Sequence, residues 1–249
     1  MALAIRLTLS LLSLPLATIK LNGVDTTLNP ILGTDKNDKL TASGESVDNI
    51  TASLAGGKDL VELTAANEFD DEAESNIIVK GEDGKDVIKA VDGLLTVTGA
   101  IYGNGDADVI EVARATGAVI NGGQDDDTLT LGSAVDLNVA GSNATATITD
   151  SEVTGALGDD DINILAGATL DGATVKGDDG KDTIVIASGA TLIDSVIAGN
   201  DGKDHISATG ELTTSGSIIY GGNRKDTIEV ADAGAMTVDG GKGKDFLRV

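Results

Sequence analysis

One ten-residue pattern recurs about ten times along the chain, and a repeat of about 22 residues restricts the fold more than any other feature here. Its clearest copy reads Gly177-Asp178-Asp179-Gly180-Lys181-Asp182-Thr183-Ile184-Val185-Ile186. Aligned on the aspartate at the sixth position, copies fall at Asp38, Asp59, Asp86, Asp108, Asp127, Asp160, Asp182, Asp204, Asp226 and Asp245. The successive gaps are 21, 27, 22, 19, 33, 22, 22, 22 and 19 residues. A run of that kind predicts a solenoid.

Each copy has a turn followed by a strand. The turn begins with Gly, carries Gly or Asp in its middle and closes on Asp, a composition suited to left-handed backbone and tight loops. The strand alternates. Two residues after each Asp stands an aliphatic side chain, from Leu40 and Val61 through Ile184 and Ile206 to Leu247. Four residues after it stands another small or aliphatic one, among them Ala42, Leu63, Val112, Ile164, Ile186 and Val249. Between them lie mostly polar residues such as Thr41, Glu62, Lys89, Glu111 and Asn163, with Val185 the exception. One face of each strand therefore enters a core and the other meets water. Thr191–Gly199 aligns with Thr169–Gly177 and with Thr147–Gly155, which adds further strand to each period. The predicted class is all-β: a parallel β-solenoid, a β-helix or β-roll, of about ten coils.

Composition fits a thin core. Gly numbers 33, Pro 2, and aromatic residues make up 2% of 249. Cysteine is absent, so no disulfide framework stiffens the chain. The formal charge of −24 disfavours nucleic acid and anionic membranes as partners, and the longest apolar run is too short for a membrane span.

The chain divides into residues 1–31, an N-terminal capping or assembly strand, and residues 32–249, the solenoid. Ile5-Arg6-Leu7-Thr8-Leu9-Ser10-Leu11 alternates as a strand does. Arg6 followed by an apolar run also has the form of a secretory signal, with cleavage before Thr18 as the alternative. Two gaps depart from the period. Between Asp59 and Asp86 the acidic stretch Asn67–Glu74 reads as a loop excursion. Between Asp127 and Asp160, Gly141–Ile148 has the look of a coil whose aspartate is replaced by Ala146.

Gly240-Gly241-Lys242-Gly243-Lys244-Asp245-Phe246-Leu247-Arg248 fits the nonapeptide G-G-x-G-x-D-x-U-x, where U is large and aliphatic. Gly81–Lys89, Gly177–Val185 and Gly199–Ser207 fit with one Gly replaced. On these residues the chain resembles the hemolysin-type (RTX) calcium-binding repeat proteins. The resemblance implies calcium between stacked turns, with ligands at Asp38, Asp59, Asp86, Asp108, Asp127, Asp160, Asp182, Asp204, Asp226 and Asp245. The turn residues Asp35, Asp83, Asp106, Asp125, Asp179 and Asp201 would assist. RTX repeats recur every nine residues, whereas this motif occurs once per coil, so an ion ladder would follow one edge only. A metal-free alternative has Lys58, Lys85, Lys181, Lys203, Lys225 and Lys244, each preceding its Asp, neutralise the row.

No catalytic set stands out. His205 is the sole histidine and falls at an outward position. The expectation is a non-enzymatic structural or surface protein, extracellular or on a virion. It would be a homo-oligomer or polymer formed through the N-terminal strand and an open C-terminal coil. The alternatives are a secreted RTX-like adhesion or toxin module and a polysaccharide-acting β-helix enzyme of the tailspike kind.

Overall fold

The computed structural model describes residues 18–21, 24–25, 30–44, 50–65, 73–91, 95–132, 146–208, 210–232 and 234–249. Three sheets form a rod of triangular section. One coil shows the path. Thr174–Gly180 lies on the third face, and the glycine turn leads through Asp182 to Thr183–Ile186 on the first. A tight turn at 187–190 then brings in Thr191–Ile193 on the second face, and Val196–Gly202 returns to the third. Each strand pairs in parallel with its counterpart one coil away, as Ile162↔Ile184↔Ile206 and Leu170↔Leu192 show. The first face has twelve strands, two of them antiparallel additions at one edge; the second has seven and the third ten. Ten rungs on two faces agree with the predicted number of coils. At the parallel-strand spacing the stack is on the order of 45 Å long.

The core is a set of aliphatic columns. Leu40, Val61, Ile88, Ile110, Leu129, Ile162, Ile184, Ile206 and Ile228 line up two residues after the aspartates, and all are buried. The second column, from Ala42 and Leu63 to Ile186 and Val230, is buried as well. Columns from the other faces, including Ile120, Val153, Val175 and Ile197, fill the remaining space. The outward residue between the columns carries rung-to-rung ion pairs such as Lys89–Glu111 (3.0 Å). Pairs this exposed contribute little.

Thr18–Leu21 runs antiparallel to Lys39–Gly44, with Ile19 opposite Ala42, and Val24–Asp25 folds back on it. These strands cover the edge of the first rung, as a cap must. The strand expected at 5–11 lies outside the described residues, as does most of the acidic excursion expected at 67–74; its last two residues, Ala73 and Glu74, belong instead to the strand Ala73–Ser75 of the second face, paired with Leu95–Val97. The gap between Asp127 and Asp160 holds no extra rung. Thr128–Leu131 pairs directly with Asp161–Ile164, and Ala146 is a buried residue leading into Thr147–Thr149 on the second face. The added length is therefore inserted within one coil, part of it outside the described residues. No helix among the described residues is long and apolar enough to cross a membrane.

Replacing Ile184 by Ala removes atoms from a fully buried column and should lower unfolding free energy by about 2–5 kcal/mol. The half-buried outward neighbour Thr183 should tolerate Ala at a cost within about 0.5 kcal/mol. Urea denaturation of the two variants checks this contrast.

Candidate functional site: a buried aspartate column

Where the third face turns into the first, the backbone kinks and ordinary strand pairing fails. The residue four before each aspartate from Asp59 onward has a positive φ, as at Glu82 (φ 73), Asn104 (φ 80), Asp178 (φ 76) and Asn200 (φ 77). The register of the third face passes over the adjacent glycines: Lys176 pairs with Ala198 and Asp178 with Asn200, with Gly177 and Gly199 between them. The consequence falls on the aspartate. The Asp182 carbonyl still accepts from the His205 N–H at 2.8 Å. In a regular parallel ladder the Asp182 N–H would meet the carbonyl of Lys203; instead it donates to Asp204 Oδ1 at 3.0 Å. The side chain thus takes the place of a missing main-chain acceptor.

This bond repeats at every rung. The N–H groups of Asp38, Asp59, Asp86, Asp108 and Asp127 donate to Oδ1 of the next aspartate at 2.7–2.8 Å. Those of Asp160, Asp182, Asp204 and Asp226 do so at 2.9–3.1 Å. Asp38 through Asp226 are buried, each at most 3% exposed. The column therefore sits at one corner of the rod in a single register, as the repeat predicted, with its carboxylates turned inward.

The glycine five residues before the aspartate makes room for the second oxygen. A Cβ on Gly177 would overlap the Asp182 carboxylate, and the same holds at Gly81, Gly103, Gly122, Gly155 and Gly199 for their own aspartates. Oδ2 of Asp59, Asp86, Asp108, Asp127, Asp160, Asp182, Asp204 and Asp226 is sealed from solvent without a hydrogen-bond partner. Asp38 differs: its Oδ2 accepts from the Thr34 N–H at 2.6 Å and the Thr34 hydroxyl at 3.1 Å. Burial pushes the carboxyls up, to about 6 at Asp86, Asp160 and Asp204, about 7 at Asp108 and Asp182, and about 8 at Asp127. The backbone N–H bond opposes that rise, and neighbouring carboxylates add to it.

Calcium takes six to eight oxygens converging at 2.3–2.6 Å. In this arrangement Oδ1 of each rung faces an N–H donor, whose partial positive charge repels a cation, and from Asp86 onward Oδ2 faces a glycine Cα. The expected helpers do not converge on the column's oxygens: Asp35, Asp83, Asp106, Asp125, Asp179 and Asp201 are exposed on the outside of the turn. Among the described residues no three His, Cys, Asp or Glu side chains are grouped to hold a metal. As folded, these oxygens do not form a calcium cage. The lysines at the fifth position, Lys58, Lys85, Lys181, Lys203, Lys225 and Lys244, face solvent. At that position some turns add an outer ladder, the Lys58 N–H donating to Asn37 Oδ1 at 3.0 Å and the Lys181 N–H to Asp159 Oδ1 at 2.8 Å.

Two further ladders escape the repeat pattern. At the corner between the second and third faces, the N–H groups of Ala173 and Ser195 donate to Ser195 Oγ and Ser217 Oγ, both at 3.1 Å, and Ala118 N–H to Ser151 Oγ. Each serine then donates to the carbonyl two residues before it. The position reads Ala118, Ser151, Ala173, Ser195 and Ser217 in successive coils, so the one trace in the sequence is a small residue there. On the outside of the third face, Asp178 accepts from Thr154 Oγ1 and from Asn200 Nδ2, the latter at 2.7 Å. His205 is half-buried in the outward row between Thr183 and Thr227.

Comparison with protein-family models, with curated proteins and with solved structures finds no match. The geometry of the column therefore carries the functional reading.

Two substitutions separate its parts. Asp182→Ala strands the buried Asp160 N–H and should cost about 1–3 kcal/mol, with amide exchange at Asp160 accelerating more than at Asp108, two rungs away. Gly177→Ala puts a methyl group on the carboxylate and should destabilise by more than the roughly 1–3 kcal/mol typical of overpacking, since backbone must also move. Gly167→Ala is the control. Its Cβ meets nothing within 4 Å, and left-handed strain alone (φ +78) should cost roughly 1–2 kcal/mol. Thermal melts of the pair rank the two effects.

Proposed function

We propose that this chain is a non-enzymatic structural rod, an acidic β-solenoid that works as a stiff element of a larger extracellular assembly such as a filament, a surface layer or a virion appendage. One observation carries the reading: an unbroken chain of nine backbone-to-carboxylate bonds runs from Asp38 to Asp245 and fastens every coil to the next. Its polar side chains serve neighbouring main chain, the serine ladder does the same at another corner, and Asp178 joins Thr154 and Asn200 of the adjoining coils through their side chains. Chemistry of that kind resists bending and shear, because each rung is held by both strand pairing and side chains.

The surface that would carry assembly is the rung Phe246–Arg248. Leu247 continues a buried column yet is 43% exposed, beside Phe246 at 51%. Among the described residues this strand pairs on one side, with Thr227–Glu229, whereas the edge of the first rung is covered by Thr18–Leu21. A coil of the same repeat from a second copy has the register and apolar columns to extend this surface.

Sedimentation velocity tests the assembly. The rod should associate at micromolar concentration, and Leu247→Asp should return it to monomer without changing its circular dichroism. A wild-type chain that stays monomeric over that range contradicts the reading.

A further inference from the structure

Eight consecutive aspartates place an unpartnered Oδ2 in the interior, on rungs only one strand spacing apart. Eight charges cannot all reside there. Two carboxylates about 5 Å apart repel by roughly 1 kcal/mol even in bulk water, and by several times that in a protein interior. One donor per carboxylate, the N–H at Oδ1, leaves the second oxygen without compensation.

The surroundings deepen the problem. Beside the column, Asp86 has Asp106 near it, Asp108 has Asp106 and Lys85, and Asp127 has Asp125. Asp160 is faced by Asp126, Asp159 and Asp161, Asp182 by Asp159, and Asp204 by Asp201 and Arg224. Asp59 and Asp226 are raised first by burial, and the charges that add to it are the adjoining rungs Asp38 and Asp245. Two cations face a mostly acidic neighbourhood. A proton is small enough to sit on Oδ2 against the glycine Cα, and it needs no ring of converging oxygens.

We propose that the aspartate column is a proton-held fastener: its central rungs carry protons at neutral pH, and the rod loosens as those protons leave. The device rests on the column geometry and is independent of whether the rod assembles. Native carboxyls that hold protons more tightly than the unfolded chain favour the fold wherever those protons are bound. Their contribution is complete below about pH 4, the unfolded value, and disappears as pH rises through about 6 to 8. Because neighbouring rungs interact, release is spread over several steps and belongs to the column as a whole.

The test is urea denaturation of the full chain in EGTA between pH 5 and pH 9, alongside a ¹³C titration of its aspartate carboxyls by NMR. The urea midpoint should fall by on the order of 1 M across that range. Several carboxyl signals should titrate above pH 6. Asp127→Asn, which keeps the Oδ1 acceptor and removes the charge, should flatten the slope, while Asp179→Asn on the surface should leave it unchanged. If Asp127→Asn fails to fold, the wild-type carboxyl titration decides. Column aspartates that all titrate below pH 5 overturn the proposal. An equal flattening by Asp179→Asn overturns it too, because diffuse surface repulsion would then explain the slope. A midpoint at pH 8 that calcium restores to its acid value, with loss of that rescue in Asp127→Asn, also overturns it and makes the column a cation site.

Discussion

A solenoid must turn a corner several times per coil, and at two of the three corners here a main-chain N–H points at the next coil without a carbonyl to meet it. Water cannot reach these groups inside the rod. An orphaned buried N–H is among the costlier defects a fold can carry, and this chain would repeat it at every rung. The aspartate side chain supplies the absent acceptor. Its short stem places Oδ1 where the displaced carbonyl would have been, and the same residue offers its own N–H to the rung beyond. The corner between the second and third faces solves the same problem with a hydroxyl, which also returns its proton to a carbonyl two residues back. Every other feature of the repeat follows from these substitutions of side chain for backbone.

The column explains why the turn looks as it does. Gly177 and its counterparts are holes for Oδ2, so the glycine and the aspartate five residues later form one steric unit. Left-handed angles four residues before the aspartate kink the strand, and Asp, Asn, Glu, Ala and Gly all occur there, the side chain being outward. The aliphatic residues two and four positions after the aspartate are held at constant height because the rung before them is pinned.

Much of this was legible in the sequence. In-register aspartates, alternating aliphatic pairs and the conjoined Gly-rich turns predict parallel coils, the single acidic edge and the buried columns at Ile162, Ile184 and Ile206. The orientation of the carboxylates was not. A Gly-rich acidic turn has the same letters whether its aspartate faces a cation outside or an N–H inside, and the choice depends on a kink that displaces one carbonyl in three dimensions. The serine ladder leaves no such mark, because Ala118 and Ala173 occupy the same position in coils beside Ser151, Ser195 and Ser217, so no polar period picks it out. The long gap after Asp127 misled in a different way: Gly141–Ile148 has the turn composition, but Asp127 and Asp160 are already bonded neighbours.

Solution NMR of amide hydrogen exchange is the most direct test of the central claim, that the column aspartates hold buried main-chain N–H groups of the preceding coil. The account predicts that the amides of Asp108, Asp127 and Asp160 are protected as strongly as those of the buried strand residues Ile162 and Ile184. Exchange at those aspartates as fast as at the exposed turn amides beside them, such as Asp126, would contradict it.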